Sequence, residues 1–369
     1  MPYRTPLASP IALAALSLAS PPANAETLRV ATYAAPLTRD GPGLLLRDLL
    51  AGDNPQLAAA MAAIHAVAPD ILVLTQFDYD ADLAALSAFA DGLGKGGTDL
   101  PHVFAALPNS GMATGLDLDG DGTVGQPRDA QGYGRFAGAG GVAVLARWPI
   151  DAGAIRDFSP LLWRDLPGAT LPVSDGLPFP SEAAQEIQRL SSTAHWVVPV
   201  QAPGGLVELL VWSATPPVFD GPEDRNGLRN RDELRLWTAL LDGALGPAPG
   251  PHFVIAGNAN LDPADGGGYP GAMAAFLADP RLTDPAPASV GAAVAAGSGQ
   301  QGDPARDTAD WSEDGPGNLR VSYVLPAATW EVTGAGVLWP APDDPAALLS
   351  PEMLAAAGPH RLVWAEVRR

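Results

Sequence analysis

The sequence predicts a single α/β domain. Three observations carry this. Short runs of β-forming residues recur along the chain and alternate with helix-type apolar patterns. No shift in composition divides the 369 residues into two units. No short-period repeat calls for a solenoid.

The elements follow in order. "TLRVATYAA" (27–35) reads as a strand rich in β-formers. Asn54 caps a helix with Pro55 at its first turn, and apolar residues continue to Val67. "PDILVLTQFD" (69–78) is an unbroken apolar run of strand length, the pattern of a strand buried on both faces. "DADLAALSAFADGL" (80–93) is a second helix with Asp80 as its cap. "HVFAAL" (102–107) and "GVAVLARWPI" (141–150) are strands flanking a long Gly-rich loop over 107–140. "AHWVVPVQA" and "GLVELLVWSA" pair across Pro203-Gly204-Gly205. "RNRDELRLWTALLDGAL" (229–245) places Leu234, Trp237, Leu240 and Leu241 on one helical face. "HFVIAG", "LRVSYVLP" and the alternating "HRLVWAEV" supply the last strands, and residues 278–318 read as an extended loop.

Bulk properties exclude several classes. The chain is 47% hydrophobic, and a mean hydropathy of +0.08 argues against a membrane protein. The uninterrupted apolar run lies in "MPYRTPLASPIALAALSLASPPANA", which has Arg4, an apolar stretch from Ile11 to Ala19, and an Ala23-Asn24-Ala25 ending. This is the pattern of a signal peptide over 1–25, so the chain is expected to be exported, periplasmic or secreted, with the domain spanning 26–369. The absence of cysteine removes disulfides, thiolate chemistry and zinc–thiolate sites. A net charge of −20, with 21 basic residues in no dense run, disfavours nucleic acid as a partner. No other partner is indicated.

Six segments then occur in an informative order: "VATYAA", "PDILVLTQFD", "TPPVFDGPEDRNGLRNRDELRLW", "IAGNANLDP", "LRVSYVLP" and "PHRLVWAEV". Together they resemble the successive motifs of the endonuclease/exonuclease/phosphatase superfamily, closest to a secreted bacterial branch. The resemblance implies a four-layer α/β sandwich, with two mixed, mostly antiparallel sheets face to face between helices. It also implies phosphoester hydrolysis with a divalent metal, usually magnesium, whose hard oxygen ligands would be carboxylates, phosphate and water.

Carried over residue by residue, the family's site departs from its pattern. The expected asparagine after the first strand stands as Ala34, the metal-binding glutamate as Gln76, and the histidine before "TPPVFDG" as Ser213. The aspartate of the Gly-Asp-x-Asn turn is Asn258, that of "DYVLP" is Ser322, and that of the final Asp-His is Pro359. Asn260 and His360 are retained. Four of the missing groups are carboxylates, and each close cation–carboxylate pair is worth about 4 kcal/mol at an effective dielectric of 20. The resemblance therefore points to a catalytically degenerate member with a binding or structural role. An alternative is a phosphodiesterase or phosphatase with a rearranged magnesium site drawing on Asp78, Asn260, Asp262 and His360, since a two-residue offset on a strand keeps the same face.

A separate cation signal lies in "GLDLDGDGTVGQPRD". Asp117, Asp119 and Asp121 alternate before Gly122, the first half of an EF-hand-type calcium loop. The twelfth position is Arg128 rather than glutamate, and Asp129 could close the loop one residue late. Such a calcium would be structural, and it supports a third reading as a calcium-stabilised ligand-binding module. The polar "TPPVFDGPEDRNGLRN" reads as an anion or sugar site or as a loop pinned by Arg–carboxylate pairs. His65, His102, His195 and His252 read as fold residues. "AGAGGVAVL" precedes a strand, the reverse of a dinucleotide fingerprint, and no G-x-S-x-G elbow is present.

Overall fold

The computed structural model describes residues 1, 27–312, 314–345 and 347–369. The expected leader therefore lies outside the described residues. The strands are β1 (Leu28–Tyr33), β2 (Ile71–Phe77), β3 (His102–Phe104), β4 (Gly141–Ala146), β5 (Arg156–Asp157), β6 (Val173–Ser174) and β7 (Leu177–Pro178). They continue as β8 (Ala194–Ala202), β9 (Gly205–Ser213), β10 (Phe253–Asn258), β11 (Ser322–Pro326), β12 (Glu331–Val337) and β13 (Val363–Arg368). The helices are α1 (Leu44–Ala51), α2 (Pro55–Val67), α3 (Ala84–Lys95), α4 (Glu182–Ile187), α5 (Arg225–Leu241), α6 (Pro270–Leu277), α7 (Val290–Val294) and α8 (Pro351–Ala357).

Two mixed sheets are built in the orders β12-β13-β1-β2-β4-β3 and β11-β10-β9-β8-β5. The β1–β2 and β9–β10 pairs are parallel and the other pairs antiparallel. The sheets meet face to face, with β1 against β10 and β11, β2 against β10 and β9, and β4 against β8. Helices α1, α2, α3 and α8 pack among themselves, and α5 packs against α6. This is the expected sandwich. Strands β2 and β10 are apolar over Ile71–Leu74 and Phe253–Ala256 because both their faces are covered there, and each turns polar towards its C-terminal end. Trp212 and Trp237 meet edge to face, which seats α5 on β9.

Local chemistry agrees with several expectations. The Asn54 side chain accepts from Gln56 and Leu57 N–H ahead of Pro55. The Asp80 carboxylate accepts from Ala84 and Ala85 N–H, capping α3 from a few residues upstream. Other boundaries move. Helix α5 starts at Arg225, not Arg229, because Asp220 satisfies the Asn226 N–H and Leu228 bonds back to Asp224. The span 278–318 carries α7, whose first turn is capped by Ser289. Helices α1 and α6 have no side-chain cap, and the start signal in α6 is Pro270 at its first position. The edge strand β12 holds two glycines under the Trp364 ring, and a Cβ on Gly336 would stand 3.0 Å from the indole nitrogen.

Candidate functional site

The family positions converge on one edge of the sandwich. Parallel pairing of β9 with β10 sets Ser213 beside Asn258, and antiparallel pairing of β10 with β11 sets Asn258 beside Ser322. On the other sheet, Gln76 closes β2, Ala34 follows β1, and His360 stands just before β13. Gly257 is required at this edge. Its φ is 155°, and a Cβ there would lie 2.0 Å from the Trp212 carbonyl oxygen. Gln76 and Asn260 both adopt positive φ, 63° and 50°.

The amides at this edge satisfy one another. Asn258 Nδ2 donates to Asn260 Oδ1 at 3.0 Å, and the Asn260 backbone N–H donates to Asn258 Oδ1 at 3.2 Å. Asn260 Nδ2 donates to the Ala214 carbonyl at 2.7 Å. Asn230 on α5 ties the same corner together, donating to the carbonyls of Thr215 and Ala259. The side chain of Gln76 reaches His360, with Nε2 to Nε2 at 3.4 Å. His360 is 5% exposed, and its Nδ1 has no hydrogen-bond partner among the described residues. Burial, reinforced by the Arg361 guanidinium, lowers its pKa to about 4, so the ring is neutral at pH 7.

The chain over 307–311 lies across this edge. Ala309 bridges to both Leu319 and His360, and Thr308 Oγ1 accepts from Val321 and Ser322 N–H. Trp311 meets the His360 ring edge to face at 5.2 Å. Ser213, Asn258 and Ser322 are all buried, and Ala34 is fully enclosed.

Members of this superfamily typically use a divalent metal, and the donors at this edge do not fit one. A hard dication needs charged or free oxygens, whereas the Asn258 and Asn260 oxygens each already accept an N–H and neither carries charge. Asp78 and Asp262 do not fill the gap. Asp78 accepts from Thr38 Oγ1, Arg39 N–H and Gly140 N–H. Asp262 accepts from the N–H groups of Ala264, Asp265 and Arg320. Both carboxylates thus hold loops together, and burial raises the pKa of each.

A metal-type cluster does form elsewhere. Asp117, Asp119 and Asp129 bring carboxylate oxygens within 4.8 Å of one another. Asp121 stands outside this group, accepting from Thr123 N–H and the Gln126 side chain. Asp129 takes its place because the short 3₁₀ turn Pro127–Asp129 folds the chain back, with Asp129 accepting from Leu118 and Gln126 N–H. Arg128 lies 3.9 Å from Asp119.

Beneath the loop after β9 runs a buried network in which Arg229, from the polar segment read as an anion or sugar site or a pinned loop, is joined by Glu233, which lies beyond that segment. Glu233 accepts from Ser192 N–H, Ser192 Oγ and Thr215 N–H, and burial raises its pKa to about 7. Arg229, one turn earlier, donates to the carbonyls of Gln131, Arg189, Leu190 and Ser191. The available signal was Arg229, Asn230 and Glu233 sharing a helical face with Leu234 and Trp237.

Two mixed sheets face to face between helices are the architecture of the DNase I-like fold class. The Endonuclease/Exonuclease/phosphatase family model matches residues 44–357, and the chain belongs to that family. Among solved structures it is similar to an endonuclease/exonuclease/phosphatase from Beutenbergia cavernae DSM 12333, with 19% identity over 93% of this chain and 71% of that one and a TM-score of 0.53. It is also similar to sphingomyelinase C from Streptomyces griseocarneus, at 17% identity, 93% and 100% coverage and a TM-score of 0.47. A third similarity is to a 3′ phosphatase from Neisseria, at 16% identity, 93% and 100% coverage and a TM-score of 0.45. No curated protein matches the sequence. Among the described residues no helix is long and apolar enough to cross a membrane.

Proposed function

We propose that this protein is an exported member of the family that has lost phosphoester hydrolysis and acts by binding or as a structural component. One observation carries the reading. The positions that the resemblance assigns to acids and metal ligands are Ala34, Gln76, Ser213, Asn258, Ser322 and Pro359, and the Asn258 and Asn260 side chains are bonded to each other and to the backbone. Such a site supplies no charge to a metal and no carboxylate-oriented base to a water. The retained His360 is buried without a carboxylate to orient it. Export rests on the leader-like residues 1–25, and periplasmic and extracellular destinations both fit them.

The test is hydrolysis of bis-p-nitrophenyl phosphate and plasmid DNA with magnesium, manganese or calcium. No turnover above background is expected. Wild-type turnover that His360→Ala abolishes overturns the reading.

A second role is supported by the Asp117, Asp119 and Asp129 cluster: calcium held as a structural clamp on the loop over 107–140. This concerns stability of a surface loop and is independent of the hydrolytic question.

A further inference from the structure

A cavity of about 710 Å³ opens between the loop after β9, the first turns of α5 and the segment around residues 119–133. Three arginines line it: Arg128, Arg225 and Arg229. In a chain with 41 acidic and 21 basic residues, an arginine has many carboxylates to choose from. Arg225 and Arg229 nonetheless have none within 4.0 Å among the described residues. Arg229 is 3% exposed and bonds only to backbone carbonyls through Nε and Nη2, while its Nη1 has no hydrogen-bond partner among the described residues. Arg225 gives Nη1 to the Leu118 carbonyl, leaving Nε and Nη2 without one.

Glu233 attracts Arg229 through space, but a buried guanidinium with no directly bonded counter-charge is costly on general grounds. The cavity's own acids attract Arg225 through space without bonding to it. Asp220 is turned onto the Asn226 N–H, Glu223 onto the Gly221 N–H, and Asp119 lies with Asp117 and Asp129. At the rim, Phe219 is 74% exposed and Tyr133 65% exposed, an unusual placement for two aromatic rings.

We propose that this cavity binds a small anionic ligand with a flat apolar body, its oxyanion held by Arg225, Arg229 and Arg128 and its body stacked against Phe219 and Tyr133. Bidentate guanidinium contacts suit both phosphate-type and carboxylate-type oxyanions. The assignment goes beyond the loss of hydrolysis and does not depend on it.

The test is calorimetric titration of the full chain with phenylphosphonate and with benzoate, using methylphosphonate as the ring-free probe. The carbon–phosphorus bond resists phosphoester hydrolysis, so residual turnover cannot imitate binding. Saturable binding of one aromatic anion is expected, and which one binds identifies the oxyanion type. It should weaken at least tenfold in Arg225→Gln and in Phe219→Ala, and methylphosphonate should bind at least tenfold more weakly than phenylphosphonate or not at all. Because Arg229→Gln removes bonds that hold the fold, Arg225→Gln is the deciding variant, with circular dichroism confirming that it folds. Absence of saturable binding by either aromatic anion, or unchanged affinity in a folded Arg225→Gln protein, overturns the proposal.

Discussion

The side-chain amide of Asn258 donates to the side-chain oxygen of Asn260 at 3.0 Å. The Asn260 amide nitrogen in turn donates to the Ala214 carbonyl, so its orientation is fixed from the far side. A carboxylate at position 258 has nothing to donate and would face the Asn260 oxygen directly. Rotating the Asn260 amide would only move the clash onto Ala214. The pair is therefore built for two amides, and an aspartate at position 258 would lose the contact with Asn260.

Asn258→Asp is accordingly expected to destabilise the fold at pH 7 by about 1–3 kcal/mol, the scale for a buried polar group that loses its partner. Urea denaturation measures this. An unchanged midpoint would show that the amide pair holds nothing in place.

Gln76→Glu combined with Asn258→Asp restores two charged oxygens to the edge. Magnesium or manganese should then raise the melting temperature of the double variant and leave the wild type unmoved. Slow metal-dependent hydrolysis of bis-p-nitrophenyl phosphate should accompany binding, below typical family rates because Ser213, Ser322 and Pro359 still lack the remaining groups. A double variant indifferent to metal at millimolar concentration argues that the strands no longer hold positions 76 and 258 within a common coordination sphere.

The buried histidine gives a pH signature. His360 titrates at 6.5 when unfolded and at about 4 when folded. Between these values the unfolded chain holds a proton that the folded chain lacks, so this residue's contribution to stability falls as pH drops from about 6.5 towards 4. Glu233 has the opposite sign, its folded pKa being raised from 4.5 to about 7. Wild-type acid sensitivity is thus a sum, and His360→Gln isolates one part. Relative to wild type, that variant should gain stability on acidification from pH 7 to 4.5. Parallel stability profiles for the two proteins would contradict the buried, neutral ring.

The acidic loop gives a cation dependence. Calcium at millimolar concentration should raise the melting temperature by a few degrees, following mass action for a ligand bound only when folded. Asp119→Ala and Asp129→Ala should remove the rise, while Asp121→Ala should retain most of it, because Asp121 lies outside the cluster. Equal effects of all three substitutions would point to general screening of the acidic surface.

A buried ion pair near the site tests how the loop after β10 is held. Arg320 is 4% exposed and makes a two-pronged contact with Asp284 at 2.6 and 2.8 Å, while its backbone N–H supports Asp262. Asp284→Ala leaves that guanidinium unpaired and should cost about 3–5 kcal/mol, read by chemical denaturation. A loss under 1 kcal/mol would mean that solvent reaches the arginine.

The sequence by itself determined the sandwich and its edge. Short apolar runs such as Ile71–Leu74 read as strands covered on both faces, and the ordered motifs indicated which strand ends meet. It also disclosed that charge is missing at Gln76, Asn258 and Ser322, since residue type is visible without coordinates. Tertiary structure alone decided what those residues do instead. That Asn258 and Asn260 bind each other, that Asp78 and Asp262 serve backbone N–H groups, and that Asp129 rather than Asp121 joins Asp117 and Asp119 depend on side-chain direction. So does the lack of a directly bonded carboxylate at Arg225 and Arg229 in the first turns of α5. A hydrogen bond is set by angles and ångströms between segments tens to hundreds of residues apart, and spacing along the chain carries no record of them.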